Sequence, residues 1–246
     1  MHNEFYVSVI PLIAINGGFI LGYIIFLMLG KGSLRPKGTR EKSDSRIIAT
    51  SLQNYWFTIT QPLVDLFIKL KVTPNMITVF GVFVSGVSGV FFAYKSWGAA
   101  GWIMIAGGVF DLFDGRVARS TNKVSKQGAY LDSVMDRYSD GLILGGLAIA
   151  FRDHWLLYAI ILCFIGFYSV SYTKARAEAS GIKCDVGLFQ RPERIFSLGL
   201  SAIFSPIFSY YMGVDVPFLL YAVLVVLGLG TVATSIYRII YSMKKL

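Results

Sequence analysis

Residues 76–94 carry no charged side chain, and six further stretches (6–29, 99–119, 128–151, 155–175, 195–212 and 216–241) can span a bilayer or nearly so, although polar residues intrude in 99–119 and 128–151. A run of about 20 apolar residues crosses a bilayer as a helix. Hydrocarbon offers no partner for a backbone N–H or C=O, so a spanning segment closes its hydrogen bonds internally. The composition agrees: 55% of the 246 residues are hydrophobic and 15% charged, where soluble domains carry about 25% charged residues. The chain is expected to be an all-α, multi-pass integral membrane protein. The first stretch reads as a retained anchor. Its start carries His2 and Glu4 without Lys or Arg, its apolar run is too long for a signal peptide, and no small-residue cleavage site follows.

The net charge of +9 points to the membrane surface, because the cations sit in alternate loops, and no nucleic-acid partner is expected. Segment 31–74 holds Lys31, Arg35, Lys37, Arg40, Lys42, Arg46, Lys69 and Lys71. Later loops on the same side hold Lys123, Lys126, Lys183, Arg191 and Arg194, and the end of the chain adds Lys244 and Lys245. The opposite loops hold little beyond Lys95 and Arg152. Seven spans with this alternation put the cationic side, and the C-terminus, in the cytosol of a cell membrane. Between residues 45 and 71, Leu52, Tyr55, Trp56, Ile59, Leu63, Leu66, Phe67 and Leu70 recur at near-helical spacing, following Ile47 and Ile48. That pattern predicts a helix lying in the interface, with Pro62 as a kink, after a basic linker over 31–45. Cys163 falls in an apolar run and Cys184 in a polar loop, and neither spacing suggests a metal site or a disulfide framework.

Asp111, Asp114, Asp132, Asp136 and Asp140 fall in two consecutive membrane segments. A carboxylate near the bilayer centre costs about 2.5–3.5 kcal/mol on insertion scales, and less near the interface. Asp111 and Asp114 are three apart and Asp132 and Asp136 four apart, so each pair faces one way on its helix. The segments are antiparallel with a short connection, which lets four carboxylates converge. Like charges at that range need a counter-charge, and hard oxygen ligands suit Mg²⁺, Mn²⁺ or Ca²⁺. Gly115 and Gly128 allow close approach of a ligand, and Arg116 and Arg119 supply permanent positive charge suited to phosphate. Metal, Arg and carboxylates facing the cytosol suggest phosphoryl transfer from a soluble-headed donor.

The run Asp111-Leu-Phe-Asp114-Gly115-Arg-Val-Ala118-Arg119, eight further residues, then Gly128-Ala-Tyr-Leu-Asp132-Ser-Val-Met-Asp136 resembles the signature of the CDP-alcohol phosphotransferase family, D-x2-D-G-x2-A-R-x8-G-x3-D-x3-D. All eight fixed positions are present. The stretch from Thr73 to Thr78 is similar to the family's entry to its first core helix. The resemblance implies a six-helix core over 73–246; the anchor over 1–30 and the linker with the interfacial helix over 31–72 lie outside it. It implies one or two Mg²⁺ or Mn²⁺ ions on Asp111, Asp114, Asp132 and Asp136. It places the CDP moiety against Gly115, Ala118, Arg119 and Gly128 with Asn75 nearby, makes Asp136 the base for the attacking hydroxyl, and implies a homodimer. The donor is then CDP-diacylglycerol or an ether analogue.

Lys174, Arg191, Arg194 and Arg238 form a second basic set on the cytosolic side. Either they flank helix ends under the positive-inside rule, or they hold a phosphate. The second reading resembles the branch of the family whose acceptor is inositol phosphate, with glycerol 3-phosphate as the alternative. An ion-coupled transporter is the competing class, but it predicts acidic residues scattered over several helices near the midplane. His2 and His154 are not expected to be ligands. Gly81, Gly86 and Gly89 with Ser85 and Ser88 suggest close helix packing, the four Trp suggest interfacial belts, and Asp140 is expected to support the site from beside Arg137.

Overall fold

The computed structural model describes residues 2–29 and 47–246, omitting the side chains of 47–50 and 53. The basic linker expected over 31–45 and the side chains of Ile47 and Ile48 therefore lie outside the described residues. Among the described residues there are eight helices and no strand: α1 (His2–Met28), α2 (Ile47–Lys69), α3 (Pro74–Ala93), α4 (Trp97–Ser120), α5 (Lys126–Ala150), α6 (Leu156–Ala179), α7 (Arg191–Met212) and α8 (Phe218–Met243). Each expected span falls on one helix, and the helix predicted between 45 and 71 is α2. Five helices (α1, α3, α6, α7 and α8) are long and apolar enough to cross a membrane. The carboxylates and arginines of the signature set α4 and α5 apart from those five in composition, although at 24 and 25 residues both are long enough.

The chain divides into two compact units, and α1, α3, α4 and α5 contribute to both. The larger comprises residues 1–8, 81–108 and 134–246. Its core gathers Phe92, Met104, Leu144, Leu147, Leu156, Ile160, Leu198 and Leu224. Glycines let its helices touch, as tight packing in lipid requires. A Cβ on Gly89 would strike the Leu142 carbonyl, one on Gly166 the Thr231 side chain, and one on Gly228 would stand 3.0 Å from the Ala159 carbonyl. Ser88 donates to the Ala100 carbonyl at 2.9 Å, so the Gly/Ser pattern of α3 is a packing pattern. In the first turn of α1, the Glu4 carboxylate accepts from Ser96 Oγ at 2.6 Å and from the Gly98 N–H at 3.1 Å. It thus caps the N-terminus of α4, where a negative charge is stabilising. Trp97 stacks on Phe151 with centroids 5.4 Å apart and packs against the core, so it is a core aromatic rather than only a belt residue. Cys184, read from sequence as part of a polar loop, is fully buried with Ala177 and Ile182. The loop folds inward because Arg238 holds the neighbouring Val186 carbonyl.

The smaller unit comprises residues 9–80 and 109–133. Tyr55 of α2 packs among Phe19, Tyr23 and Phe26 of α1. Val64, Ile77, Phe113 and Val117 form a second core joined by Phe67, Val109 and Phe110. At 100° per residue, Phe113, Arg116 and Val117 lie on the side of α4 opposite Asp111, Asp114 and Ala118. Arg116 accordingly turns to α2, where it donates to Thr60 Oγ1, to the Phe57 carbonyl at 3.2 Å and to Gln61 Oε1 at 2.9 Å, and covers the Phe57 ring. The sequence reading had offered this guanidinium to a phosphate; the helix register gives it to α2 instead.

Candidate active site

Asp111, Asp114 and Asp132 each present a ligand atom within 4.8 Å of the others. Three carboxylates so close are held against mutual repulsion, and an oxygen-only donor set of this charge fits a hard divalent cation. Asp114 is buried and accepts from Thr78 Oγ1 at 2.7 Å, which fixes its rotamer. Thr78 was not singled out from sequence. Its position one turn after Pro74 and Asn75 was the available signal, since residues four apart share a helix face.

Beside the trio lies a pocket of about 190 Å³ lined by Asn75, Thr78, Gly115, Arg119, Lys123 and Gly128, and reaching Ala118, Asp114 and Asp132. Two helices begin at its wall. α3 starts at Pro74, with Thr73 Oγ1 accepting the Met76 N–H at 3.3 Å. α5 starts at Lys126, with Ser125 Oγ accepting the Gly128 N–H at 3.0 Å. Helix N-termini favour anions, and Arg119 and Lys123 add full positive charges. Both signature glycines lie on the lining. A Cβ at Gly115 would stand 3.1 Å from an Arg119 guanidinium nitrogen, and one at Gly128 3.6 Å from Asn75 Oδ1. All five residues expected at the CDP moiety (Asn75, Gly115, Ala118, Arg119 and Gly128) line this one pocket.

The remaining predicted residues belong to the larger unit. Asp136 forms an ion pair with Arg191 at 2.8 Å and accepts a hydrogen bond from Arg137 at 3.3 Å. Asp140 meets Arg194 at 3.3 Å and approaches Arg191 at 4.0 Å. The expected pairing of Asp140 with Arg137 is therefore corrected: Arg137 binds its sequence neighbour Asp136, and α7 supplies the partners of Asp140. Arg194 is 1% exposed and lies over the Phe167 ring at 4.3 Å. Arg238, also buried, donates to the Val186 and Val170 carbonyls at 2.7 and 2.6 Å, fastening the loop that leads into α7. Lys174 pairs with Asp185 at 2.9 Å and Glu178 at 3.8 Å. That contact holds the exposed Asp185 carboxyl below its usual pKa, chiefly through the hydrogen bond from Lys174. Arg191, Arg194, Asp136 and Asp140 thus form one charge network, and Lys174 and Arg238 have contacts outside it.

A carboxylate cluster fit for a divalent cation, against a cationic pocket walled by helix N-termini and carried by helices of membrane length, is the constellation of a metal-dependent membrane transferase. A sequence profile of the CDP-alcohol phosphatidyltransferase family matches residues 71–236, and the chain belongs to that family. Phosphatidylinositol phosphate synthase of Corynebacterium glutamicum is 33% identical over 204 residues, covering 76% of this chain and 84% of the relative. The crystal structure of Mycobacterium tuberculosis phosphatidylinositol phosphate synthase with CDP-DAG bound aligns at a TM-score of 0.67 and 30% identity, over 75% of this chain and 94% of that one. Its complex with manganese and citrate aligns at 0.68 and 29%, over 75% and 88%. The chain is a multi-pass membrane enzyme of phospholipid synthesis that uses a divalent metal and a CDP-alcohol donor.

Proposed function

We propose that the enzyme transfers a phosphatidyl group from CDP-diacylglycerol, or an ether analogue, to a hydroxyl of inositol phosphate, releasing CMP. The observation that carries this reading is the aspartate trio set against a pocket lined by Gly115, Arg119 and Gly128. The likeness to phosphatidylinositol phosphate synthases supports the acceptor. Asp111, Asp114, Asp132 and Asp136 hold one or two Mg²⁺ or Mn²⁺ ions. Asp136 follows Asp132 by four residues on α5, hence on the same helix face. When bound, the metal supplies charge neutralisation on the donor's diphosphate.

Asn75, Gly115, Ala118, Arg119 and Gly128 seat the CDP moiety. Arg119 pairs with phosphate oxygens as a planar fork. The acceptor hydroxyl oxygen forms a bond to the phosphorus that bears the lipid alcohol. The bond from that phosphorus to CMP breaks, CMP leaves with the electron pair, and Asp136 takes the hydroxyl proton. Arg191 and Arg194 meet the acceptor's own phosphate, with Lys174 and Arg238 completing the basic set. The site faces the cytosol of a cell membrane, in agreement with the Lys and Arg asymmetry of the loops. Six helices over 73–246 form the catalytic core, 1–30 the added anchor and 31–72 the linker with α2, and the enzyme works as a homodimer.

The test is CMP release by purified protein with Mg²⁺ or Mn²⁺, CDP-diacylglycerol, and either inositol phosphate or glycerol 3-phosphate, beside an Asp136→Asn control. Release with inositol phosphate that is lost in the control is the expected result. Release with glycerol 3-phosphate alone moves the acceptor to that alcohol, and release with neither overturns the assignment of a phosphorylated acceptor.

A further inference from the structure

Asp140 stands outside the family signature, yet it is one of the most deeply buried charges in the protein, at 4% exposure. Its partner Arg194 is buried further, at 1%. A guanidinium has five N–H donors, and Asp140 engages only Nη2 of Arg194. Among the described residues, Arg194 Nε and Nη1 have no hydrogen-bond partner, although both are shut off from solvent. Leaving a buried donor unsatisfied costs about 1–3 kcal/mol, and more for a charged group. The surroundings keep this cation in one pose despite that cost. Phe167 lies against its face at 4.3 Å and fixes the plane. Asp140 sets the opposite charge beside Nη2, as an ion pair at 3.3 Å. Arg191, one helical turn earlier at the start of α7, approaches the same carboxylate at 4.0 Å.

We propose that Asp140 is a positioning residue for acceptor binding: it holds Arg194, and through the shared carboxylate Arg191, so that the unspent donors of Arg194 meet the phosphate of the acceptor. The inference rests on the reading of these arginines as the acceptor's phosphate site. A buried guanidinium whose orientation is set before the ligand arrives loses little entropy on binding, which is the gain from preorganisation. Asp140 touches neither the donor nor the reacting atoms in this scheme. Its removal therefore acts on acceptor affinity more than on the chemical step, which a purely structural ion pair would not do selectively.

The experiment measures kcat, the KM for inositol phosphate and the KM for CDP-diacylglycerol on full-length protein in liposomes, for wild type, Asp140→Asn and Asp140→Glu. Asp140→Asn is expected to raise the acceptor KM at least tenfold, with a much smaller change in kcat and a donor KM within twofold of wild type. Asp140→Glu should recover part of the loss. If wild type gives no turnover with inositol phosphate, the acceptor reading itself has failed. If wild type turns over and the folded variants keep the wild-type acceptor KM, or lose kcat and both KM values in parallel, the positioning role is overturned. If Asp140→Asn does not fold, the acceptor KM of Asp140→Glu decides in the same way. Loss of folded protein in both variants also overturns the proposal, because the pair is then structural.

Discussion

The two units handle aspartate in opposite ways. In the smaller, Asp111, Asp114 and Asp132 crowd one another within 4.8 Å. In the larger, Asp136 and Asp140 interleave with Arg137, Arg191 and Arg194. A cluster of one sign is built to attract what will neutralise it. A lattice of both signs compensates most of its own charge and instead fixes the directions of its members. One arrangement leaves its charge open to a cation; the other spends most of its charge on its own members. The same residue type in the same two helices therefore does different work according to what neighbouring elements bring to it.

The sharpest way to break this comparison is to neutralise one member of each set. Asp132→Asn should lower turnover at least about 100-fold, beyond the 10- to 100-fold typical of an outer partner of a metal ligand. It should also weaken Mn²⁺ binding measured by electron paramagnetic resonance while the helical circular dichroism stays intact. Next in size is a contrast of sign in metal-free buffer. Asp140→Asn strands Arg194 and should destabilise the fold by about 3–5 kcal/mol, the cost of removing one partner of a buried pair. Asp111→Asn removes like-charge repulsion and should raise the melting temperature, by about 1 kcal/mol or more in stability. Two shifts of the same sign would abolish the distinction.

A smaller effect tests the pocket. Gly115→Ala sets a methyl 3.1 Å from the Arg119 guanidinium and should raise the CDP-diacylglycerol KM by about tenfold, roughly 1.4 kcal/mol, leaving the acceptor KM alone. The smallest concerns Asp185→Asn, which releases half-buried Lys174 and should change the acceptor KM by less than about threefold. Because Lys174 holds the Asp185 carboxyl below its ordinary pKa, the contact is present at neutral pH and lost as pH falls through the lowered value. The difference between wild type and variant should accordingly vanish in acid.

Most of the helical architecture was legible because largely apolar runs of membrane length admit one backbone solution. α2 was legible from its near-helical apolar spacing alone. The carboxylate trio followed from i,i+3 spacing and the signature. What escaped was direction and partnership across distance. Arg116 sits beside Gly115 in sequence, but its side of α4 faces Phe57 and Gln61. Asp140 has a local candidate partner in Arg137, three residues before it on the same helix, and a local rule chooses that residue. The true partners come from α7, more than 50 residues away. Cys184 likewise reads as part of a polar loop, because the carbonyl contact from Arg238 that folds the loop inward leaves no local pattern.

Glu4 and the residues that grip Arg116 all precede residue 71, where the family match begins. α4 is therefore capped at its first turn and backed near its last by chain that the shared catalytic region does not include. Anyone trimming this enzyme to residues 71–236 would leave the α4 N-terminus without its carboxylate and turn the Arg116 guanidinium out, stripped of partners, onto a wall built to face other protein or lipid, where an unpaired charge is costly. The shortest version fit for biochemistry or drug screening is longer than the catalytic signature suggests, and detergent sensitivity in a trimmed protein would report a missing brace rather than a fragile active site.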